Sequence, residues 1–172
     1  MSKKEIIRRF HEIGVIYKEP VTLRSGVSSE FYCDIKKAFG YPDLLNALAD
    51  EVGKKLHESV TCVAGSGYGG LPIAALVASR FGKKFIAVRD TDKKHGKGGL
   101  IDGYIPNEKD IIVIVDDVLT TGSSIRTTLA TLAMTKGKIK NAIILVKRGE
   151  AELTIPYSYI FTIDEILENK PA

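Results

Sequence analysis

The sequence predicts an α/β fold in which a mainly parallel sheet is flanked by helices. Three observations support this prediction. Apolar runs without polar alternation, typical of strands buried on both faces, recur after residue 60. Segments with helical spacing of apolar residues alternate with those runs, as in βαβ units. The chain of 172 residues, 44% hydrophobic and 27% charged, is long enough to bury one substantial core.

The N-terminal part of the chain predicts two helices separated by extended segments. Residues 3–13 carry apolar side chains at helical spacing. Residues 15–24 and 30–36 are expected to be extended, on either side of a turn. Pro42 begins the second helix, because proline is favoured at the first helical position.

From residue 60 onward, predicted strands and helices alternate. The strands are 60–64, 85–88, 111–115 and 142–146, and the helices are 72–81 and about 123–136. A glycine-rich loop, residues 65–70, follows the first of these strands, and a long charged loop, residues 89–103, follows the second. Because ligands bind at the carboxyl ends of the strands in such sheets, we expect the loops after the four strands to meet at one edge.

Composition and charge argue against several classes of protein. No apolar run approaches the ~20 residues of a membrane helix, and the N-terminal residues lack a signal-peptide core, so we expect a cytoplasmic protein without a membrane partner. The net charge of +4 is mild and its basic residues concentrate in 83–97, which favours an anionic ligand over nucleic acid. Cys33 and Cys62 have no partner motif and predict buried, reduced thiols.

The segment 111–125 carries the strongest chemical signal. An apolar strand leads to Asp116 and Asp117, and a run of threonine, glycine and serine then precedes a helix. Backbone amides at a helix N-terminus, together with hydroxyl groups, suit a phosphate. The two carboxylates suit the paired hydroxyls of a sugar attached to that phosphate. The alternative is a solvated acidic strand end followed by ordinary helix capping.

Three further segments predict anion chemistry less specifically. Lys93 and His95, in the basic loop, could neutralise a leaving diphosphate, and His95 could carry a proton, although many charged loops are merely solvated. Arg148 follows the strand 142–146 and suits a substrate carboxylate or, alternatively, a surface ion pair.

The third of these segments, 65–70, satisfies the G-x-G-x-x-G pattern of dinucleotide-binding proteins. Asp90 lies at the end of the next strand, about 20 residues beyond Gly70, where that pattern expects an acidic residue. A dinucleotide site would not explain the acidic pair with its threonine run, and the chain leaves little room for a separate substrate domain.

The segment 111–125 resembles the signature of type I phosphoribosyltransferases, which bind 5-phosphoribosyl diphosphate. Four further segments, in the same order along the chain, resemble the orotate phosphoribosyltransferases of that family. They are Thr22–Asp34, Arg89–Gly96, Asp102–Gly103 and Lys147–Glu150. The resemblance implies the type I phosphoribosyltransferase fold, with a small N-terminal hood and a flexible basic loop.

The resemblance also implies an activity and an assembly. The expected reaction transfers the 5-phosphoribosyl group to orotate, giving orotidine 5′-monophosphate and diphosphate in UMP biosynthesis, with Mg²⁺ held mainly by the substrates rather than by protein ligands. Residues 1–172 would form one domain, the hood coming from about 1–40 and the C-terminal segment. A homodimer is implied, in which the loop 89–103 closes over the neighbouring active site. A phosphoribosyltransferase for a purine base and a non-catalytic sensor of phosphoribosyl diphosphate are the alternatives.

Roles for individual residues follow from the same resemblance. The implied catalytic residues are Lys93, His95 and Asp117. Those implied to bind phosphoribosyl diphosphate are Arg89, Lys93, His95, Asp116, Asp117, Val118, Leu119, Thr120, Thr121, Gly122, Ser123 and Ser124. Thr120 and Arg148 are implied to bind orotate, and the weaker candidates are Arg24, Tyr32, Cys33, Tyr68 and Gly69. Gly69 and Asp90 stand where many members have lysine, which is what keeps the sensor alternative open.

Overall fold

The computed structural model describes residues 1–17, 21–22, 28–29, 32–89 and 99–169. The helices are α1 (Lys3–Glu12), α2 (Lys36–Phe39), α3 (Pro42–Gly53), α4 (Gly67–Arg80), α5 (Ser123–Leu132) and α6 (Ile163–Glu168). The strands are β1 (Ile16–Tyr17), β2 (Val21–Thr22), β3 (Ser28–Ser29), β4 (Tyr32–Cys33), β5 (Cys62–Ser66), β6 (Lys84–Val88), β7 (Ile101–Gly103), β8 (Ile111–Leu119), β9 (Lys138–Lys147) and β10 (Tyr157–Thr162).

A six-stranded sheet lies at the centre, in the order β10-β9-β8-β5-β6-β7. Five of its strands are parallel, and β7 runs antiparallel to β6 at one edge. The predicted α/β class with a mainly parallel sheet is therefore confirmed. The carboxyl ends of β5, β6, β8 and β9 lie at the same edge, so the segments that follow these strands meet there.

The apolar runs form inner strands of the sheet, because helices and loops cover both of its faces. Along β8, Val113 and Val115 belong to the hydrophobic cluster that includes α1, α3 and α4. The alternating residues Ile112 and Ile114 belong to a second cluster, which includes α5. Each side chain of this run is thus buried on one face or the other, which explains the missing polar alternation.

The ends of the chain pack together in the first of these clusters. Phe10 of α1 contacts Phe161 of β10 edge to face, with ring centroids 5.6 Å apart. The Nζ atom of Lys3 also donates to the carbonyl oxygen of Ile160 at 2.7 Å. The strand β10 and the helix α6 were not predicted from the sequence, since their short apolar segments fit no long periodic pattern.

Short strands near the N-terminus form two-stranded pairs: β1, β2 and β4 lie in the predicted extended segments, whereas β3 lies between them and Lys36 is helical. Strand β1 pairs with β4, and β2 pairs with β3, both antiparallel. Helix α2, of four residues, follows β4 and was not predicted. Helix α3 begins at Pro42, as expected.

Two predicted boundaries at the sheet edge were wrong. Residues 65–70 are not a loop, because Gly65 and Ser66 complete β5 and α4 begins directly at Gly67. Gly67 has a φ of 60°, a left-handed conformation that glycine adopts without strain and that turns the strand straight into the helix. Strand β8 continues to Leu119 because β9 supplies ladder partners as far as Lys147.

Both cysteines are buried and free, as predicted. Burial raises the pKa of the Cys33 thiol to about 12, and burial also raises the pKa of Cys62. In the part of the chain that the structure describes, no helix is long and apolar enough to cross a membrane.

Candidate active site

The acidic pair lies inside β8 rather than after it. Asp116 is 6% exposed and opposes Ile144 of β9 in the ladder. The Ser124 hydroxyl donates to Asp116 Oδ2, and the Asp117 amide donates to Asp116 Oδ1 at 3.0 Å. Asp116 is therefore held by groups of the protein on both of its oxygens.

Asp117 lies closer to the solvent and packs against the start of α4. Its side chain is 16% exposed, and the Val118 amide donates to its Oδ1 atom at 2.8 Å. A Cβ atom at Gly69 would lie 2.2 Å from Cγ of Asp117. A side chain at position 69 would therefore displace this carboxylate from the helix backbone.

Both carboxyl groups of the pair have raised pKa values. For Asp116 the main cause is burial, followed by repulsion from the charge of Asp117. Burial also raises the pKa of Asp117, and the Lys36 ammonium, 3.9 Å from Asp117 Oδ2, partly opposes that rise. The two groups titrate as a coupled pair, so one negative charge is easier to hold here than two.

The N-terminus of α5 lies beside the acidic pair. Gly122 is the N-cap, with a φ of 77°, which a glycine adopts without strain. The first amides of a helix have no acceptor within the helix, and they attract anions. Residues Thr120, Thr121 and Ser123 are exposed around this helix end. The arrangement suits a phosphate, as the sequence predicted.

A buried hydrogen-bonded chain fixes α5 against the sheet. Thr128 Oγ1 donates to Ser66 Oγ at 2.8 Å and is 3.0 Å from the carbonyl oxygen of Ser124. Ser124, which the sequence predicts to bind phosphoribosyl diphosphate, directs its hydroxyl to Asp116 in this structure. Sequence reasoning missed the part played by Ser66 and Thr128, because polar residues spaced this far apart give no local pattern.

Arg148 reaches the same edge from β9. Its amide donates to the carbonyl oxygen of Leu119 at 2.9 Å, which places it beside the start of the hydroxyl-rich segment. A Cβ atom at Gly149 would lie 2.6 Å from the carbonyl oxygen of Thr120. The charges of Arg148 and Asp117 both act on the Cys33 thiol. The structure thus brings Arg148 close to Cys33 and Asp117, with Thr120 against the neighbouring Gly149.

The other predicted site residues differ in exposure and contacts, and some lie outside the described residues. Tyr68, in the first turn of α4, is 92% exposed, and Tyr32 of β4 is partly buried. Arg89 forms an ion pair with Asp102, and its amide donates to the carbonyl oxygen of Leu100 at 2.8 Å. These contacts join the two ends of the predicted basic loop, and residues 101–103 form β7 rather than loop. The predictions for Arg24, Asp90, Lys93 and His95 fall outside the described residues.

The described residues of the site form no cage of protein ligands for a metal ion. Among residues 1–17, 21–22, 28–29, 32–89 and 99–169, no group of three or more histidine, cysteine or acidic side chains is arranged to hold one. Asp116 is already engaged by Ser124. These residues fit a hard cation only if its other oxygen ligands come from substrates and water.

Comparison with known proteins decides the family. The model of the phosphoribosyl transferase domain matches residues 41–171. An orotate phosphoribosyltransferase of Methanosphaera stadtmanae is 31% identical over 95% of this chain and 95% of its own. The chain belongs to the orotate phosphoribosyltransferase family. Another such enzyme, from Methanocorpusculum labreanum, is 34% identical over 86% of this chain and 88% of its own.

A solved structure extends the likeness to three dimensions. The crystal structure of orotate phosphoribosyltransferase from Aeropyrum pernix is 28% identical, covers 95% of this chain and 96% of that one, and has a TM-score of 0.83. The fold inferred from the resemblance is thereby confirmed. The dinucleotide interpretation of residues 65–70 is not supported, because the Asp117 carboxylate lies against Gly69 where that pattern needs a pyrophosphate.

Proposed function

We propose that this family member catalyses transfer of the 5-phosphoribosyl group from 5-phosphoribosyl 1-diphosphate to orotate. The observation that carries the proposal is the meeting of Asp116-Asp117, the α5 N-terminus and the segment 148–149 at one edge of the sheet. A sugar phosphate needs hydroxyl acceptors beside a phosphate site, and a pyrimidine carboxylate needs a cation next to them. Within this family, that set of groups fits a ribose phosphate and an acidic base.

The chemistry assigned to each group follows from charge. The C1–O bond to diphosphate breaks and the leaving diphosphate keeps the electron pair. A new bond joins N1 of orotate to C1, and the proton of N1 is released to water. Positive charge grows on the ribose as this happens, so the carboxylate of Asp117, held beside its hydroxyls, stabilises it. The amides at the start of α5 hold the 5-phosphate and keep the ribose in place.

The base is assigned to the Arg148 side of the site. A guanidinium can bind a carboxylate through two parallel hydrogen bonds, which gives both orientation and selectivity. Thr120 lies beside Arg148 and supplies a second contact. Lys93 and His95, the catalytic residues implied by the family resemblance, are assigned to the leaving diphosphate, whose negative charge they would stabilise.

Mg²⁺ is proposed as the cofactor, bound by diphosphate and ribose oxygens and by water, and it would neutralise charge on the leaving group.

We also propose a cytoplasmic homodimer in which the basic loop between β6 and β7 reaches the neighbouring site. Sedimentation of the purified protein tests the dimer, which a monomer at micromolar concentration would contradict.

An ultraviolet assay that follows orotate loss with phosphoribosyl diphosphate and Mg²⁺ tests the reaction. We expect activity that falls at least a hundredfold in Asp117→Asn and in Arg148→Ala, the order found when a transition-state contact is removed. The matched controls Asp43→Asn and Arg8→Ala alter residues whose side chains are 50% and 57% exposed on α3 and α1. They should retain full activity.

Two other outcomes would refute the orotate assignment. Turnover with adenine or xanthine but not with orotate would indicate a purine-base enzyme. Binding of phosphoribosyl diphosphate by calorimetry without turnover of any base would indicate a sensor.

A further inference from the structure

Lys36 lies at the solvent side of the acidic pair, although no sequence pattern singles it out. It is the first residue of α2, which follows β4 and the buried Cys33. Its Nζ atom is 3.1 Å from Asp34 Oδ1 and 3.9 Å from Asp117 Oδ2. The ammonium group therefore bridges a carboxylate of the N-terminal segment and one of the central sheet.

Asp34 orients this lysine. Its Oδ1 atom is buried and has no hydrogen-bond partner among the described residues, so its interaction with Lys36 is an ion pair. Burial alone would lower the pKa of Lys36, but Asp34 and the charge of Asp117 outweigh it and raise that pKa. Lys36 is therefore a cation throughout the physiological pH range.

The two members of the acidic pair differ in what surrounds them. Asp116 is 6% exposed and is engaged by the Ser124 hydroxyl, whereas Asp117 is more open and faces the ammonium group. Among the described residues, the charged and titratable groups near Asp117 are Asp116 on its own strand, Cys33 in β4, Asp34 after it, Lys36 at the start of α2, and Arg148 beyond β9. Of these, Lys36 is the cation whose ion pair with Asp117 the structure gives directly.

We propose that Lys36 is a positioning residue that holds the negative charge of the pair on Asp117 rather than on Asp116. The proposal rests on the proposed function, in which the Asp117 carboxylate accepts hydrogen bonds from ribose hydroxyls. Because two adjacent buried carboxylates repel each other, a nearby cation decides which one ionises first. Lys36 approaches Asp117 from the solvent side, so the charge is placed where a substrate can reach it.

The expected effect of removing Lys36 is a shift in titration. A cation within ~4–6 Å lowers the pKa of an aspartate by ~1–3 units. Lys36 is 40% exposed, so its charge is partly screened by water and the lower end of that range applies. We expect Lys36→Met and Lys36→Gln to raise the pKa of Asp117 by about one unit.

Carbon NMR titration of side-chain carboxyl groups, in the protein without substrates, measures this directly. The Asp117 resonance should titrate about one pH unit higher in Lys36→Met and Lys36→Gln than in the wild type, and Lys36→Arg should restore the wild-type midpoint. Lys37→Met is the matched control, because Lys37 is on the same helix but bonds the Gly14 carbonyl oxygen at 3.2 Å and stacks on Tyr17. An unchanged Asp117 midpoint in both Lys36 variants would overturn the proposal.

The pH dependence of kcat/KM for phosphoribosyl diphosphate then separates positioning from direct contact. If Lys36 acts through Asp117, the acid limb moves upward by the same unit, and the activity of Lys36→Met approaches that of Lys36→Arg at high pH. A loss equal at every pH would mean that Lys36 touches the substrate, which contradicts the positioning role. If the wild-type protein were inactive with orotate, the proposed function would be refuted. The NMR titration would still test the effect of Lys36 on Asp117, because it is measured without substrates.

Discussion

The contact between Gly69 and Asp117 can be tested by adding a single methyl group. In Gly69→Ala, the new Cβ atom would lie 2.2 Å from Cγ of Asp117 and 2.3 Å from each of its oxygens. Carbon atoms in contact are ~3.5–4.0 Å apart, so the carboxylate must move by more than ~1 Å. That movement takes it away from the Val118 amide, which donates to it at 2.8 Å.

The expected cost combines three contributions. Overpacking in a filled site costs ~1–3 kcal/mol, and a lost hydrogen bond to a charged group costs ~1.5–3 kcal/mol where it is not replaced by water. Alanine is favoured over glycine in a helix by ~1 kcal/mol, which offsets part of this. We expect a net loss of ~2 kcal/mol in the free energy of unfolding, which lowers Tm by ~4–8 °C in a chain of this length.

The catalytic effect should be larger than the loss of stability suggests. A displacement of ~1 Å in a group that positions the substrate can cost about a hundredfold in rate. We therefore expect kcat/KM for phosphoribosyl diphosphate to fall ~10–100-fold, measured in the orotate assay well below the Tm of the variant. The KM for orotate should change less, because Arg148 and Thr120 are not displaced.

Gly40→Ala is the matched control. Gly40 has a φ of −73°, and an added Cβ would lie 3.4 Å from the Lys37 carbonyl oxygen, an ordinary contact. This substitution should leave kcat/KM unchanged and alter stability by less than ~1 kcal/mol. If Gly69→Ala behaved in the same way, the carboxylate of Asp117 would not lie against α4, and the site geometry described above would be wrong.

Two further predictions concern the buried carboxyl groups of Asp110, which precedes β8, and of Asp116 within it. Asp110 is 2% exposed and accepts hydrogen bonds from Thr61, Lys84, Tyr104 and the Asn107 amide. Burial alone would raise the pKa of Asp110, but these donors hold it well below the ordinary range. Its contribution to stability is therefore complete above the ordinary aspartate pKa and is lost as the pH falls below it. Thermal unfolding of Asp110→Asn should show a Tm ~4–8 °C lower at pH 7 and a flatter dependence of Tm on pH between pH 5 and 2. Equal slopes in the two proteins would contradict this. Ser124→Ala removes the hydroxyl that stabilises ionised Asp116, so the pKa of that carboxyl should rise further, which carbon NMR titration of its side chain would show. Thr127→Ala, an exposed change on the same helix, should leave the Asp116 midpoint in place, and an unchanged midpoint in Ser124→Ala would contradict the contact.

The sequence predicted best those elements and sites whose signal comes from residues adjacent in the chain. The apolar run 111–115 predicted an inner strand, and the acidic pair followed by hydroxyl-rich residues predicted a sugar and phosphate site, because these signals depend on residues adjacent in the chain. Pro42 and the N-terminal periodicity located α3 and α1 for the same reason. Resemblance to known motifs then supplied the family, which the comparisons confirmed.

The tertiary structure decided what depends on distant partners. The extension of β8 through Asp116 and Asp117 needs β9 beside it, since hydrogen bonds to that strand define it. The contact between Asp117 and Gly69 and the approach of Lys36 to Asp117 each join segments far apart in the chain. Pairings of this kind depend on packing in three dimensions, and that is why the sequence by itself located the acidic pair but could not say which of its two carboxylates faces a cation.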